Sequence, residues 1–314
     1  MLAVTTDNPD DVDGIDRAEL ARRFEEHRPY LRRLAYSTLG SLTDADDVVQ
    51  DAWLRLQRWH ENRSPGERID NLRAWLSTVT GRLALDQLGS ARARREQYVG
   101  EWLPEPEVTT IDDPADRITQ DERVTTALLV VLESLTPAER TAFVLQDVFG
   151  MSGPEVAEVV GRTPAAVRQL ASRARKHVEQ GTPRFPASHD EQKKVVSAFA
   201  LAWRSGDLSA LLGVLDENVL LTADGGGKVP AIRQPVRGAE LIAKMFLGWY
   251  RAGAGAWGRM VEVNGAPGLL VFDGTHTGVF SFTIDNGSIT AINAVRNPDK
   301  LRNLPTEGEP DWYL

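Results

Sequence analysis

Arg168, Gln169, Ser172, Arg173, Arg175 and Lys176 share one side of a helical pattern whose other side is Val167, Leu170, Ala171, Ala174 and Val178. Apolar residues recurring at steps of three and four mark a buried face, so the six polar residues are predicted to be displayed together. Their chemistry suits the edges of base pairs, because arginine can bridge guanine and glutamine can bridge adenine in the major groove. A solvated surface helix with no partner carries the same pattern. The choice turns on the elements that position the helix.

Those elements have well-marked ends. Thr136-Pro137-Ala138-Glu139 combines a capping threonine, a first-turn proline and a glutamate three residues on, the signature of a capping box. Phe143, Val144 and Val148 give that helix its apolar face. Ser152-Gly153-Pro154-Glu155 repeats the box ahead of Val156, Val159 and Val160, Gly161 is suited to a left-handed helix end, and Thr163-Pro164 opens the basic helix. A short helix, a tight glycine turn and a second helix with an exposed basic face is the helix-turn-helix layout that seats a recognition helix in the major groove. Three caps and the turn together favour DNA reading over a merely solvated helix.

With 314 residues, about two domains or three small ones are expected. There is no cysteine, which excludes a disulfide framework and a thiolate metal or redox site, and the five histidines form no ligand-spaced cluster. No cofactor or metal is therefore expected. The net charge of −9 argues against a general nucleic-acid coat. Charge is distributed unevenly, however. Lys and Arg at 162, 168, 173, 175, 176 and 184 face Glu179 alone, and arginines at 73, 82, 92, 94 and 95 face Asp86 alone. Two basic islands in an acidic chain predict DNA contact at two places. No apolar run approaches membrane-spanning length, so no membrane partner is expected and a reducing cytoplasm fits.

Along the chain, an acidic N-terminus of residues 1–15 leads into helices over 16–39, with Pro29 as an expected break. Thr43-Asp44-Ala45-Asp46-Asp47 is expected to cap a helix running through Val48, Ala52, Trp53 and Leu56 to Trp59, its acids favoured by the helix dipole. After the Pro65-Gly66 loop, Asn71 caps a long helix with Leu72, Trp75, Leu76, Val79, Leu83 and Leu88 on one side. The proline-rich stretch from Trp102 to Pro114 cannot sustain a helix and reads as a linker, as do residues 181–188. Beyond 189 the texture changes. Helical patterns at 190–205, 208–215 and 239–251 precede strands near 259–263, 268–272, 279–284 and 289–293, with Asn264-Gly265, Asp273-Gly274 and Asn286-Gly287 as hairpin turns. That describes an α+β domain, a curved antiparallel sheet with helices on it.

Taken together the residues resemble an extracytoplasmic-function sigma factor, the promoter-specificity subunit of bacterial RNA polymerase. Residues 44–54, DADDVVQDAWL, resemble the polymerase-binding helix of sigma domain 2. Residues 71–76 (NLRAWL), 83–88 (LALDQL) and Arg94-Arg95 resemble its promoter-melting helix, and LTPAER at 135–140 with the helix-turn-helix after it resembles sigma domain 4. Three pentapeptides, WLPEP (Trp102, Leu103, Pro104, Glu105, Pro106), DGGGK (Asp224, Gly225, Gly226, Gly227, Lys228) and NPDKL (Asn297, Pro298, Asp299, Lys300, Leu301), resemble the signature of a SigJ-type subgroup with a fused SnoaL-like domain. Arg82 stands where many relatives carry asparagine.

The resemblance implies a multidomain chain of two all-α sigma domains, at 16–98 and 119–180, then an α+β SnoaL-like (NTF2-like cone) domain at 189–301 and a tail at 302–314, with a 99–118 linker between the sigma domains. It implies core RNA polymerase and promoter DNA as partners. Asp46, Asp47, Gln50 and Asp51 would pair with basic groups of the polymerase. Thr78, Arg82, Asp86, Arg92, Arg94 and Arg95 would hold melted bases and strand, because extruding a base costs a few kcal/mol that pocket and phosphate contacts must return. Read alone, that helix is more simply an amphipathic bundle helix with surface arginines.

In the C-terminal domain His276, Asp216 and Asp224 are titratable candidates, with no sequence sign that they converge. DGGGK lacks the strand-loop-helix context of a phosphate loop and reads as a flexible loop and docking element. The three pentapeptides are expected to mediate regulation between domains, with Trp102 as an aromatic anchor. Two readings from other classes stay open here. One is a DNA-binding regulator whose C-terminal domain senses a small ligand or is a SnoaL-like enzyme, and the other is a conventional helix-turn-helix repressor.

Overall fold

This computed structural model describes residues 15–64, 67–95, 98–110, 124–183, 187–252, 257–302, 304 and 312–313. Residues 1–14 of the expected N-terminal segment, the Pro65-Gly66 loop, linker residues 111–118 and 184–186, and most of the tail lie outside that set, as do the side chains of Arg92, Arg94, Arg95 and Arg184. The chain forms two compact units, one of Met1–Arg92 with Leu135–Lys176 and one of Ala93–Ser134 with His177–Leu314.

The first unit is helical. Helix α1 (Arg17–Leu39) starts at Asp16, whose carboxylate accepts from the Glu19 amide at 2.8 Å, and ends at Gly40 in the left-handed conformation. The break expected at Pro29 is absent, and α1 runs through it. Pro29 is exposed, so the carbonyl it leaves unbonded faces water, while buried Phe24, Leu31 and Leu34 pin the helix on both sides. Helix α2 (Leu42–Asn62) is capped by Ser41 rather than by the Thr43–Asp47 run, the Ser41 oxygen taking the Asp44 amide at 3.2 Å. Helix α3 (Leu72–Arg95) begins at Asn71 as expected, its side chain accepting from Ala74 N at 2.8 Å. Leu20, Phe24, Leu31, Val49, Leu56 and Leu76 form the core that joins α1 to α3.

Helix α4 (Thr126–Leu132) belongs to the second unit, and the helix-turn-helix follows it. Both capping boxes form, at Thr136/Glu139 for α5 (Pro137–Phe143) and at Ser152/Glu155 for α6 (Gly153–Val160). Helix α5 widens into a π turn over Val144–Val148. Gly161 takes φ 65°, and the Thr163 oxygen accepts from Ala166 N at 3.2 Å to open α7 (Pro164–Gly181). Val156, Val160, Val167 and Leu145 bury against one another and against Leu34 of α1. The two helical blocks of the first unit therefore share a core.

In the second unit, α8 (His189–Ser205), α9 (Leu208–Val214) and α10 (Ala239–Ala252) pack on an antiparallel sheet with one parallel pair. Its strands are β1 (Val108–Thr109), β2 (Leu215–Asp224), β3 (Val236–Arg237), β4 (Trp257–Val263), β5 (Ala266–Phe272), β6 (Thr277–Asp285), β7 (Ser288–Val295) and β8 (Trp312–Tyr313). The order is β1-β4-β5-β6-β7-β2-β3, with β8 also on β4. Asn264-Gly265 and Asn286-Gly287 turn their hairpins with positive φ at both residues, the backbone such two-residue turns demand. Phe199, Trp203, Phe246 and Phe282 stack within the core between helices and sheet.

Two further features depart from the sequence reading. Strand β2 was not expected, because its first half, Asp216-Glu217-Asn218, is polar and its parallel partner β7 is remote in sequence. The described part of the stretch read as a linker, up to residue 110, is packed. Leu103, Pro104, Glu105 and Pro106 are buried, and Val108–Thr109 adds an edge strand to β4.

Candidate nucleic-acid interface and the linker clamp

Arg168, Gln169, Ser172, Arg173, Arg175 and Lys176 are all exposed on α7, opposite buried Val167, Ala171 and Ala174. Some are held from below. Arg173 pairs with Glu139 of α5 at 3.1 Å, and Arg175 pairs with Asp147 of the π turn. Arg168 has no ion pair among the described residues, so its guanidinium retains its full set of planar donors.

On α3, Arg82 and Asp86 are exposed and Thr78 is half-buried. Arg82 is engaged by the helix-turn-helix, donating to the Glu158 carbonyl at 3.2 Å and its carboxylate at 2.9 Å. Beside it a Cβ at Gly81 would stand 3.1 Å from Val159 and 3.2 Å from Leu145. In this arrangement α3 and α6 lie in direct contact. The exposed ion pair is worth at most about 1 kcal/mol, whereas forcing branched carbons into the contact costs about 1–3 kcal/mol. Gly81→Val is accordingly expected to loosen α6 from α3, with faster amide exchange at Val159 and Val160 than in Arg82→Gln.

Asp46, Asp47, Gln50 and Asp51 are exposed on one side of α2. Asp46 is paired with Arg32 at 2.7 Å. Leu54, one turn beyond Gln50, is 37% exposed and supplies an apolar contact among the acids. The signal was its place at i+4, on the polar side of the pattern.

The three pentapeptides meet. Asp224, at the end of β2, is fully buried, and its carboxylate accepts from the Tyr98 hydroxyl at 2.6 Å, Leu103 N at 3.0 Å, Gly226 N at 3.0 Å and Lys300 Nζ at 2.7 Å. Its carbonyl takes the amides of Arg296 and Asn297 at 2.7 and 2.9 Å. Lys300 also donates to the Leu103 carbonyl and lies 3.9 Å from the Trp102 ring centre, a cation–π contact strengthened by burial. Asn297 donates to the Tyr98 oxygen at 2.7 Å, Pro298 opens a 3-10 turn, Asp299 pairs with Lys228, and Leu301 packs on the β4–β5 side. Burial, and secondly the Asp224 carboxylate, push the Tyr98 phenol well above its ordinary pKa, so it stays a donor. Hydrogen bonds from Lys228 and Arg302 hold the Asp299 carboxyl below its usual range.

DGGGK is a fixed turn rather than a flexible loop. Gly226 and Gly227 have φ 63° and 69°, and a Cβ at Gly226 would come within 2.4 Å of Asn297. Tyr98 went unnoticed in the sequence, and no local signal marks it. His276, Asp216 and Asp224 do not converge. Asp216 and Asp224 lie at opposite ends of β2, roughly 25 Å apart by strand rise, while His276 lines a cavity with Asp273 and Arg296.

A helix-turn-helix with a displayed basic helix, joined to a second helical block with its own arginines, defines a DNA-directed protein. Sigma-70 region 2 matches residues 23–94 and Sigma-70 region 4 matches residues 125–178. The chain is 40% identical over 296 residues to the ECF RNA polymerase sigma factor SigJ of Mycobacterium tuberculosis (strain ATCC 25618 / H37Rv), covering 90% of this chain and 93% of that one. It is 36% identical to the probable ECF RNA polymerase sigma factor SigI of the same strain, covering 90% and 95%. The crystal structure of Mycobacterium tuberculosis SigJ superposes with a TM-score of 0.73 at 36% identity, over 91% of this chain and all of that one. The chain belongs to the extracytoplasmic-function RNA polymerase sigma factors. It is an alternative sigma factor, a transcription initiation factor that works with core RNA polymerase and promoter DNA. Among the described residues no helix is long and apolar enough to cross a membrane.

Proposed function

We propose that the sheet domain governs initiation in cis by holding the connector between the two sigma regions. The observation that carries this reading is the buried Asp224 carboxylate, which gathers Tyr98, Leu103 and Lys300 at one point. A free connector of residues 99–118 could extend to about 70 Å at 3.3–3.6 Å per residue. Held on the sheet it cannot, so the clamp sets how far regions 2 and 4 can separate.

In this reading Arg168, Gln169 and Ser172 read the upstream promoter element and Arg173, Arg175 and Lys176 hold its phosphates. Thr78, Arg82 and Asp86, with Arg92, Arg94 and Arg95, engage the melted strand, and Asp46, Asp47, Gln50 and Asp51 face the polymerase. Arg82 must then leave Glu158 before it meets DNA. The factor works in the cytoplasm, where both partners are, and the reading assigns the sheet domain no reaction.

The test is promoter-dependent transcription with purified core polymerase, comparing the full chain with Trp102→Ala. Loss of the ring removes the Lys300 cation–π contact, and transcript yield is expected to change several-fold. Equal yields from the two proteins, both folded, would sink the cis reading while leaving the sigma assignment intact.

A further inference from the structure

The helix-facing side of the sheet is filled by large residues except at one place. There Ala223 and Ala294, register partners on β2 and β7, and Gly278 on β6 leave a cavity of about 330 Å³. Small side chains on three neighbouring strands build this hollow. A Cβ at Gly278 would come to 3.3 Å from the Arg296 side chain and 3.4 Å from the Phe280 ring.

The walls are aromatic. Trp203 is fixed by its indole N–H, which donates to the Phe246 carbonyl at 3.0 Å, and it presents its ring beside Phe280, centre to centre 5.9 Å. Trp249 packs edge-on against Phe246 at 4.9 Å yet remains 37% exposed. A tryptophan kept partly uncovered inside a concave apolar wall is a surface ready to stack.

The polar end lies at Asp273, His276 and Arg296. Asp273 accepts from Thr275 N at 2.9 Å, from His276 N at 2.8 Å and from the Arg296 guanidinium. Burial would raise its carboxyl, but those amides and the charges of Arg296 and His276 outweigh burial and hold it below the ordinary value. Asp273 therefore stays ionised, held by three donors. What remains toward the cavity are the other guanidinium N–H donors of Arg296 and the imidazole of His276, which carries at least one N–H.

We propose that this cavity binds a small aromatic molecule of two or three rings bearing a carboxylate or carbonyl at one end, with the rings against Trp203 and Trp249 and the acceptor at Arg296 and His276. A volume near the bottom of the about 300–1,000 Å³ range of ligand pockets fits that size, and an apolar wall with few convergent polar groups is the usual design. The proposal goes beyond control by the clamp and does not depend on it.

The probe is 2-naphthoate, titrated into the full-length protein and followed by tryptophan fluorescence and calorimetry. Saturable one-site binding is expected, at least tenfold weaker for cationic 2-naphthylmethylamine. Arg296→Gln should weaken naphthoate at least tenfold and leave neutral 2-naphthol nearly unchanged, whereas Ala231→Phe, on the cavity wall, should abolish both. If Ala231→Phe does not fold, the Arg296→Gln and ligand-charge comparisons decide alone. No saturable binding of naphthoate or naphthol up to millimolar concentration, or naphthoate binding indifferent to Arg296→Gln and to ligand charge, overturns the assignment.

Discussion

Asp224→Asn is expected to release residues 98–107 from the sheet domain while leaving the domain itself folded. The substitution keeps the shape but replaces an acceptor-only carboxylate with an amide that has one oxygen and two donor hydrogens. Four donors converge on the present carboxylate, from Tyr98, Leu103, Gly226 and Lys300. An amide cannot satisfy them, and its own hydrogens would face the Tyr98 hydroxyl or Lys300. The heavier cost is at Lys300, which is 11% exposed and would keep a buried charge without its counter-ion. Breaking a buried pair from one side costs about 3–5 kcal/mol. The Leu103 amide reports the event directly, because its bond to Asp224 is buried. Its hydrogen exchange should accelerate by about two to four orders of magnitude, the kinetic equivalent of that cost. Amides of β5 and β6 should be unchanged. Unaltered exchange at Leu103 would mean that proline packing, rather than the carboxylate, holds the segment.

The second large effect is expected on DNA. Arg168→Ala combined with Gln169→Ala removes two exposed side chains without touching the buried face of α7, so thermal stability should hold. If both read bases, each loss is worth about 1–3 kcal/mol of discrimination, and the pair should cut promoter-specific transcription by about thirtyfold to about ten-thousandfold. Arg175→Ala should behave differently. That side chain is braced by Asp147, which suits a phosphate contact, so its loss should weaken all sequences alike and flatten the salt dependence by about one charge. Equal losses of specificity from both variants would remove the distinction between reading and positioning residues drawn from the geometry.

These expectations rest on residues of very different legibility. The ends of α5, α6 and α7 could be read from Thr136, Ser152, Gly161 and Thr163 because a cap is a contact over three or four residues. The hairpin turns at Asn264-Gly265 and Asn286-Gly287 were visible for the same reason. The displayed face of α7 followed from its periodicity. What stayed hidden depends on distance along the chain. Prolines 104 and 106 read as free linker because nothing near them supplies a partner, and their neighbour Leu103 bonds to Asp224, 121 residues away. Strand β2 lacks alternation because its polar first half is largely exposed while Leu221–Asp224 is buried on both faces beside β7, its parallel partner. The pentapeptides were noticed only by resemblance, and chemistry alone does not mark their meeting. Arg82 illustrates the limit from the other side. Its charge was legible, but its partner Glu158, 76 residues on, was not.

The wide sequence separation of the clamp also orders events in time. Asn297, which completes the Tyr98 hydrogen bond, is 199 residues downstream of it. At about 5–20 residues per second, a ribosome needs roughly 10–40 s to cover that interval. Regions 2 and 4 are finished well before the strand and turn that fasten the segment between them. Each molecule is therefore made with its connector loose and becomes fastened only after the sheet domain has emerged, so on the proposed reading a chain that stalls or is cut before Lys300 lacks the restraint.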